Sequence, residues 1–226
     1  MDRHNNLSKI SKITNNIFLS GIFPLDENYE LIKKLNIKYI LACLDRNFIS
    51  EVHDKIMTNN PDLTILYLPY NDDIEQNLWE TNKNKTQMIK YIVSIDDYNI
   101  LTKQISIYNN KPMIEIGYNF IDNAVLSNKN ILVHCMAGIS RSVSMVIYYL
   151  MKKHHINYEN AITIVKDRRP IANPNNSFKL QLQKYQKKRD NFTEIDAKNI
   201  IVSIKYPAQD IISPKKKRKK IIISSK

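Results

Sequence analysis

The chain has 226 residues, 43% of them hydrophobic, and a formal net charge of +12. That length suits one globular domain with a tail, and no run approaches the roughly 18 consecutive apolar residues that a bilayer span needs. Two cysteines make no disulfide framework, and the polar start Met1-Asp2-Arg3-His4-Asn5-Asn6 has no apolar signal region. A reducing compartment is therefore expected, and the sequon Asn191-Phe192-Thr193 would go unused. The segment 190–226 carries nine basic and four acidic residues, +5 of the total, which leaves +7 on the body. A basic body suits an anionic substrate or nucleic acid.

In chain order, residues 16–21 read as a strand ending in a turn. Pro24 and the acidic pair Asp26-Glu27 open a helix over 29–35, with acid at its positive end. A second strand follows at Ile37-Lys38-Tyr39-Ile40-Leu41-Ala42, then a helix over 50–58. Asn59-Asn60-Pro61 breaks the chain before a third strand over 63–68. This alternation is that of an α/β domain. Between Leu78 and about Pro112 lies a long stretch holding a strand-like run, Tyr91-Ile92-Val93-Ser94-Ile95, and a turn at Asn109-Asn110-Lys111-Pro112. A helix over 114–126 turns Ile116, Phe120 and Ile121 inward. The apolar run Asn130-Ile131-Leu132-Val133 is right for a buried strand, and Ser144 to Met151 for a helix. A helix over 158–166, the string Lys166-Asp167-Arg168-Arg169-Pro170, a turn at Asn173-Pro174-Asn175 and a last helix to about 188 complete the body.

Between the strand at 130–133 and the next helix stands His134-Cys135-Met136-Ala137-Gly138-Ile139-Ser140-Arg141-Ser142. A strand-to-helix turn is a ready anion site, because unpaired N–H groups gather at the helix N-terminus. Cys135 is a candidate nucleophile; a thiol placed there beside an arginine ionises readily. Arg141, at the first turn of the helix, offers a planar fork matched to phosphate oxygens. The backbone of Met136, Ala137, Gly138, Ile139 and Ser140 would aim successive N–H groups inward as a nest. Gly138 is one of only three glycines in the chain and falls where the backbone must turn tightly. Ser142 can donate to the sulfur when it leaves, and His134 would orient the loop from behind.

This stretch resembles the signature loop of the cysteine-based dual-specificity protein phosphatases, His-Cys-x-Ala-Gly-x-Ser-Arg-Ser. The likeness extends to Leu68-Pro69-Tyr70-Asn71-Asp72-Asp73 with Gln76-Asn77-Leu78, and downstream to Asn173-Pro174-Asn175, Phe178 and Gln181-Leu182. It covers about residues 10–190, the expected catalytic domain, with 191–226 as a basic, disordered tail. The heavy use of Asn, Ile and Lys is that of an AT-rich genome, as some viruses have. The resemblance implies an α/β fold with a central mixed sheet flanked by helices. It implies hydrolysis of phosphotyrosine and of phosphoserine or phosphothreonine through a phosphocysteine, with no cofactor and no metal. Residues 80–111 are then an insertion that compact members lack, beside the site. No kinase-docking domain fits before Ile10.

The general acid is expected at Asp72, which follows Leu68-Pro69 as the family's acid follows its Ile-Pro; Asp73 should point away. Asp96-Asp97 is the rival pair, nearer to Cys135 along the chain. An RNA 5′-phosphatase of the same superfamily is an alternative that the basic body favours, but Met136-Ala137-Gly138 stands where those enzymes tend to carry Thr-His-Gly. A phosphoinositide phosphatase would want basic residues inside the loop. A phospho-binding pseudophosphatase normally lacks the nucleophile, arginine or acid, and all three types are present. Cys43 reads as a small buried hydrophobe, though in a few relatives a nearby cysteine forms a reversible disulfide with the nucleophile. The run Pro214-Lys215-Lys216-Lys217-Arg218-Lys219-Lys220 reads as a nuclear localisation signal for an import receptor, giving a protein of nucleus and cytoplasm. Nucleic-acid binding by this tail is compatible with that reading, and no membrane partner is expected.

Overall fold

The computed structural model describes residues 7–188 and the short strand at 211–212. The strands are β1 (Ile10–Lys12), β2 (Ile17–Ser20), β3 (Ile37–Ala42), β4 (Thr64–Tyr67), β5 (Gln87–Lys90), β6 (Asn130–His134) and β7 (Ile211–Ile212). They form one seven-stranded sheet in the order β5-β4-β3-β6-β2-β1-β7. The central strands β4, β3, β6 and β2 are parallel; β5, β1 and β7 add antiparallel edges. The sheet is thus mixed, as expected. Its centre is parallel because runs such as Ile17-Phe18-Leu19 and Ile131-Leu132-Val133 are apolar on both faces, and only helix-covered strands bury both.

The helices are α1 (Phe23–Glu27), α2 (Glu30–Lys34), α3 (Ser50–Asn59), α4 (Ile95–Ser106), α5 (Met113–Leu126), α6 (Arg141–His154), α7 (Tyr158–Arg168) and α8 (Asn176–Lys187). Helix α6 is the hub: every residue from Ser142 to Met151 is buried, the mark of a helix packed on all sides. It rests on β6 and β2 and carries α5, α7 and α8 against its flanks. It ends where His155 adopts φ +55 in the left-handed region, with Lys152, Lys153 and His154 at its negative end.

Two elements differ from the sequence reading. Pro24 and Asp26 sit inside a separate short helix, α1, rather than opening α2, because proline at the first helical positions starts a helix of its own. The run Tyr91-Ile92-Val93-Ser94-Ile95 is not a strand; the strand lies just before it, at β5. Ser94 caps α4, its Oγ accepting from Asp97 N–H at 3.1 Å and donating to Asp97 Oδ2 at 2.9 Å. A reciprocal cap of this kind outweighs the β-propensity of the preceding residues. The segment 80–111 therefore contributes an edge strand and a helix. Buried Asn82 closes its base, bonding Lys111, Asn110 and Tyr108 on one side and Lys85 and Thr86 on the other. The tail, expected to be disordered, returns at Ile211–Ile212 to pair with β1. The run Ile200-Ile201-Val202-Ser203-Ile204 and the basic cluster 215–220 lie outside the described residues.

Candidate active site

β6 delivers Cys135 to the C-terminal edge of the parallel strands, and five residues later Ser140 stands at the N-cap position of α6. The path between them is set by where its carbonyls go. Cys135 O lies 3.3 Å from His134 Nδ1. Met136 O accepts from Ile22 N–H at 2.9 Å, Ile139 O from Asn173 N–H at 2.8 Å, and Ser140 O from Ser144 N–H at 2.8 Å. Ala137 O and Gly138 O accept from Arg169 Nη2 and Nε at 3.0 and 2.6 Å. Each carbonyl is drawn outward, and in a trans peptide the N–H points the opposite way. The amides of the loop consequently face inward around Cys135 as an anion nest.

Two glycines permit this path. Gly138 has φ +67, and a Cβ on it would stand 2.4 Å from the backbone of Ser20. A Cβ on Gly21 would stand 2.7 Å from Ala137. The end of β2 and the loop pass backbone against backbone.

Cys135 is almost fully buried, and its Sγ accepts from Gly138 N–H at 3.3 Å and from Ser142 Oγ at 3.2 Å. Arg141 Nη1 donates to Tyr70 O at 3.3 Å, while its buried Nε has no hydrogen-bond partner and lies 3.7 Å from Asp72 Oδ2. Asp72 Oδ1 accepts from Ser140 Oγ at 2.6 Å and from Asn175 Nδ2 at 3.0 Å. Cys135, Arg141 and Asp72 thus meet at one loop, Cys135 through Gly138 N–H and Asp72 through Ser140 and Arg141. Asp73 turns to its own loop, capping Glu75 N–H and Gln76 N–H. Asp97 faces Ser94 and Lys90 in the first turn of α4. Among the described residues, neither Asp96 nor Asp97 bonds the nine-residue loop.

The acid-bearing stretch is braced from behind. Gln181 donates to Gln76 O and accepts from Leu78 N–H, both at 2.8 Å. Trp79 stacks on Tyr185, with ring centroids 5.6 Å apart, and meets Tyr148 edge-on. Beneath the loop, His134 Nε2 lies 3.0 Å from His53 Nε2. Burial, foremost, draws His134 down to about 4 and His53 to about 2, so both rings are neutral at physiological pH. Cys43 is wholly buried; burial, then the neighbouring Cys135, pushes its thiol up. Ala42 pairs with His134 across β3 and β6, and Cys43 N–H donates to His134 O at 2.8 Å, just before Cys135.

Arg169 and His53 were not singled out from sequence. Arg169 stands in the charged string 166–170, where no neighbour in sequence marks it for the interior, yet it is buried and shapes the loop. His53 stands between Val52 and Asp54 in α3, and only the tertiary fold brings it to His134. Among the described residues no three His, Cys, Asp or Glu side chains gather as a metal site would require.

A family model described as the catalytic domain of dual-specificity phosphatases matches residues 75–188. Over 206 residues the chain is 61% identical to a protein of Acanthamoeba polyphaga mimivirus named as a tyrosine-protein phosphatase, covering 91% of this chain and 97% of that one. It is 49% identical over 70 residues to dual specificity protein phosphatase 1B of Arabidopsis thaliana, 31% of this chain and 42% of the relative. With human dual specificity protein phosphatase 16 it shares 43% over 82 residues, 36% of this chain and 12% of the relative. Among solved structures, the human tyrosine phosphatase-like serine/threonine/tyrosine-interacting protein aligns with TM-score 0.55 at 24% identity, over 79% of this chain and 96% of that one. Human DUSP28 aligns with TM-score 0.56 at 19% identity, over 80% and 95%. These structural likenesses carry the fold.

Proposed function

The chain belongs to the dual-specificity phosphatase family and is a phosphatase; from that premise we propose that it hydrolyses phosphotyrosine and phosphoserine or phosphothreonine on proteins through a phosphocysteine intermediate. The Cys135 thiolate attacks phosphorus in line with the leaving oxygen. The loop amides and Arg141 hold the equatorial oxygens, where charge is spread in a loose transition state. Asp72 gives its proton to the leaving oxygen, and the S–P bond forms as the P–O bond breaks. Water then attacks the phosphocysteine, Asp72 takes its proton, and inorganic phosphate leaves. Ser142 Oγ, 3.2 Å from the sulfur, donates to the thiolate as it departs.

The observation that carries this reading is the outward commitment of every carbonyl from Cys135 to Ser140, which leaves the amides converging beside Arg141, whose Nε has no hydrogen-bond partner. A phosphoryl group supplies three oxygens of the right charge for those donors. The likeness to a phosphatase-like interacting protein does not distinguish catalysis from binding, since the fold is common to both. What favours catalysis here is that Cys135, Arg141 and Asp72 are all present and adjacent.

Phosphate release should be measured from a phosphotyrosine peptide, a phosphothreonine peptide and a triphosphate-ended RNA. Turnover of the peptides with none of the RNA is expected. Cys135→Ser should abolish turnover yet retain phosphopeptide binding, because a serine hydroxyl does not ionise as a thiol does. Preferential turnover of the RNA, or appreciable turnover by Cys135→Ser, would overturn the proposal. The basic run 215–220 is proposed to engage a nuclear import receptor, placing the enzyme in nucleus and cytoplasm.

A further inference from the structure

Behind the loop, three side chains from three elements stand in line. Tyr67 Oη, at the end of β4, lies 2.7 Å from His53 Nδ1 on α3. His53 Nε2 lies 3.0 Å from His134 Nε2, and His134 Nδ1 lies 3.3 Å from the Cys135 carbonyl oxygen. All three residues are buried. Beyond the outer end, Arg46 pairs with Asp54 at 3.5 Å. At the inner end stand Cys135 and Arg141.

Only one placement of protons satisfies this line. A carbonyl oxygen can only accept, so His134 Nδ1 carries the proton. The ring is neutral, so its Nε2 is bare and must accept. His53 Nε2 is then the donor, which leaves His53 Nδ1 bare, and Tyr67 O–H donates to it. Every bond runs one way, from Tyr67 through His53 and His134 to the peptide of Cys135.

We infer that His53 and Tyr67 are positioning residues that fix His134 in its Nδ1–H tautomer and so hold the Cys135 peptide, and the sulfur with it, in register with the loop amides. The functional half of this inference rests on Cys135 being the nucleophile. The tautomer half does not. In the opposite tautomer His134 would turn a lone pair on the Cys135 carbonyl oxygen, and the peptide would rotate away. A single aligned hydrogen bond in a buried site is decisive because neither group has water as an alternative partner.

The test begins with nitrogen-15 spectra of histidine-labelled protein across pH 6 to 8. His134 should appear as the Nδ1–H tautomer and His53 as the Nε2–H tautomer. His134 found as Nε2–H would overturn the inference. Tyr67→Phe removes one hydroxyl at nearly constant volume and should leave both rings in mixed tautomers. His53→Phe should do so more completely, while His53→Gln, which restores an amide donor, should return His134 to Nδ1–H. In the variants with mixed tautomers, the pH midpoint for alkylation of Cys135 by iodoacetamide should rise by about one unit, roughly a tenfold loss of reactive thiolate on the acid side. A merely structural role would lower the melting temperature and leave that midpoint in place. An unchanged midpoint and unchanged tautomers in Tyr67→Phe would overturn the inference even if His53→Phe fails to fold. Tautomers as assigned, with no turnover of any phosphoester, would sink the phosphatase reading and leave the proton line standing.

Discussion

Arg169 Nε lies 2.6 Å from the carbonyl oxygen of Gly138, so the residue that shapes the loop between Cys135 and Arg141 comes from the far end of α7. The same guanidinium reaches Ala137 O and Lys9 O, both at 3.0 Å. Among the described residues it meets no carboxylate, and burial draws its pKa down to about 10, still cationic at neutral pH. The positive charge is therefore spent on carbonyl dipoles and adds to the potential under Cys135.

Arg169→Met should be among the most damaging substitutions outside the loop. It leaves three carbonyls without their donor, each at a cost of about 1–3 kcal/mol. A loss on the order of 3–5 kcal/mol in urea denaturation is expected. Arg169→Lys keeps the charge but cannot span two carbonyls with a rigid fork. It should fold, with turnover on a small phosphoester reduced at least about tenfold.

The strand, the loop and the opening of α6 were legible because each depends on residues adjacent in sequence: an apolar run, then Cys135, Gly138 and Arg141, then another apolar run. What holds the loop was not legible. Arg169, Asn173 and His53 are brought to it by packing, and a basic residue in a polar string carries no mark of burial. The edge of the sheet was misread for a local reason. The Tyr91–Ile95 run has the composition of a strand, and the decision lay in one cap, Ser94 to Asp97, that a count of β-branched residues passes over. Asp72 was legible through its place after Leu68-Pro69; its bonds to Ser140 and Asn175 were not.

The buried histidines should make stability depend on pH. An exposed histidine titrates near 6.5, whereas burial holds His134 at about 4 and His53 at about 2 in the fold. The unfolded chain thus binds more protons below pH 6.5. The stabilisation is fully present above that value and is lost as pH falls from 6.5 toward 4, at up to about 1.4 kcal/mol per unit for each ring. Urea midpoints at pH 7, 6 and 5 should decline accordingly, and His53→Phe should shallow the decline. A flat profile over that window would show that the rings are not held neutral.

Cys43 can be tested by oxidation. Cys43 follows Ala42 and Cys135 follows His134, the last pair of β3 and β6, and the charge of Cys135 reaches the Cys43 thiol. Mild peroxide should oxidise Cys135 to the sulfenic acid, and Cys43 should displace water from it to give a disulfide. Mass spectrometry should find a Cys43–Cys135 crosslink that thiols reverse, with activity restored. Cys135 sulfinic acid alone would leave Cys43 as packing.

The basic run 215–220 should act without the catalytic domain. Replacing Lys215, Lys216, Lys217, Arg218, Lys219 and Lys220 with alanines should leave turnover of a small phosphoester unchanged. The tagged variant should lose its nuclear concentration. Retention in nuclei would show that import runs through another element.

Asp72, the proposed general acid, is the residue on which the proposed mechanism turns most finely. Asp72 Oδ1 receives Ser140 Oγ and Asn175 Nδ2, and its other oxygen lies 3.7 Å from Arg141 Nε. The carboxyl is therefore held at the rim of the nest by the loop it serves and by the cap of α8. Asp72→Asn keeps an acceptor oxygen for Ser140 and Asn175, so the stretch should stay docked through Gln181 and Trp79. What the variant lacks is a proton to give. Turnover should fall by about 10²-fold or more for leaving groups of high pKa, such as phosphoserine, and least for an activated aryl phosphate whose oxygen departs unprotonated. Asp96→Asn should change neither rate, because Asp96 lies in the first turn of α4 and does not bond the loop. The plot of turnover against leaving-group pKa decides the matter. A slope that steepens for Asp96→Asn and stays as in the wild type for Asp72→Asn would move the acid to α4 and leave Asp72 as a brace for Ser140.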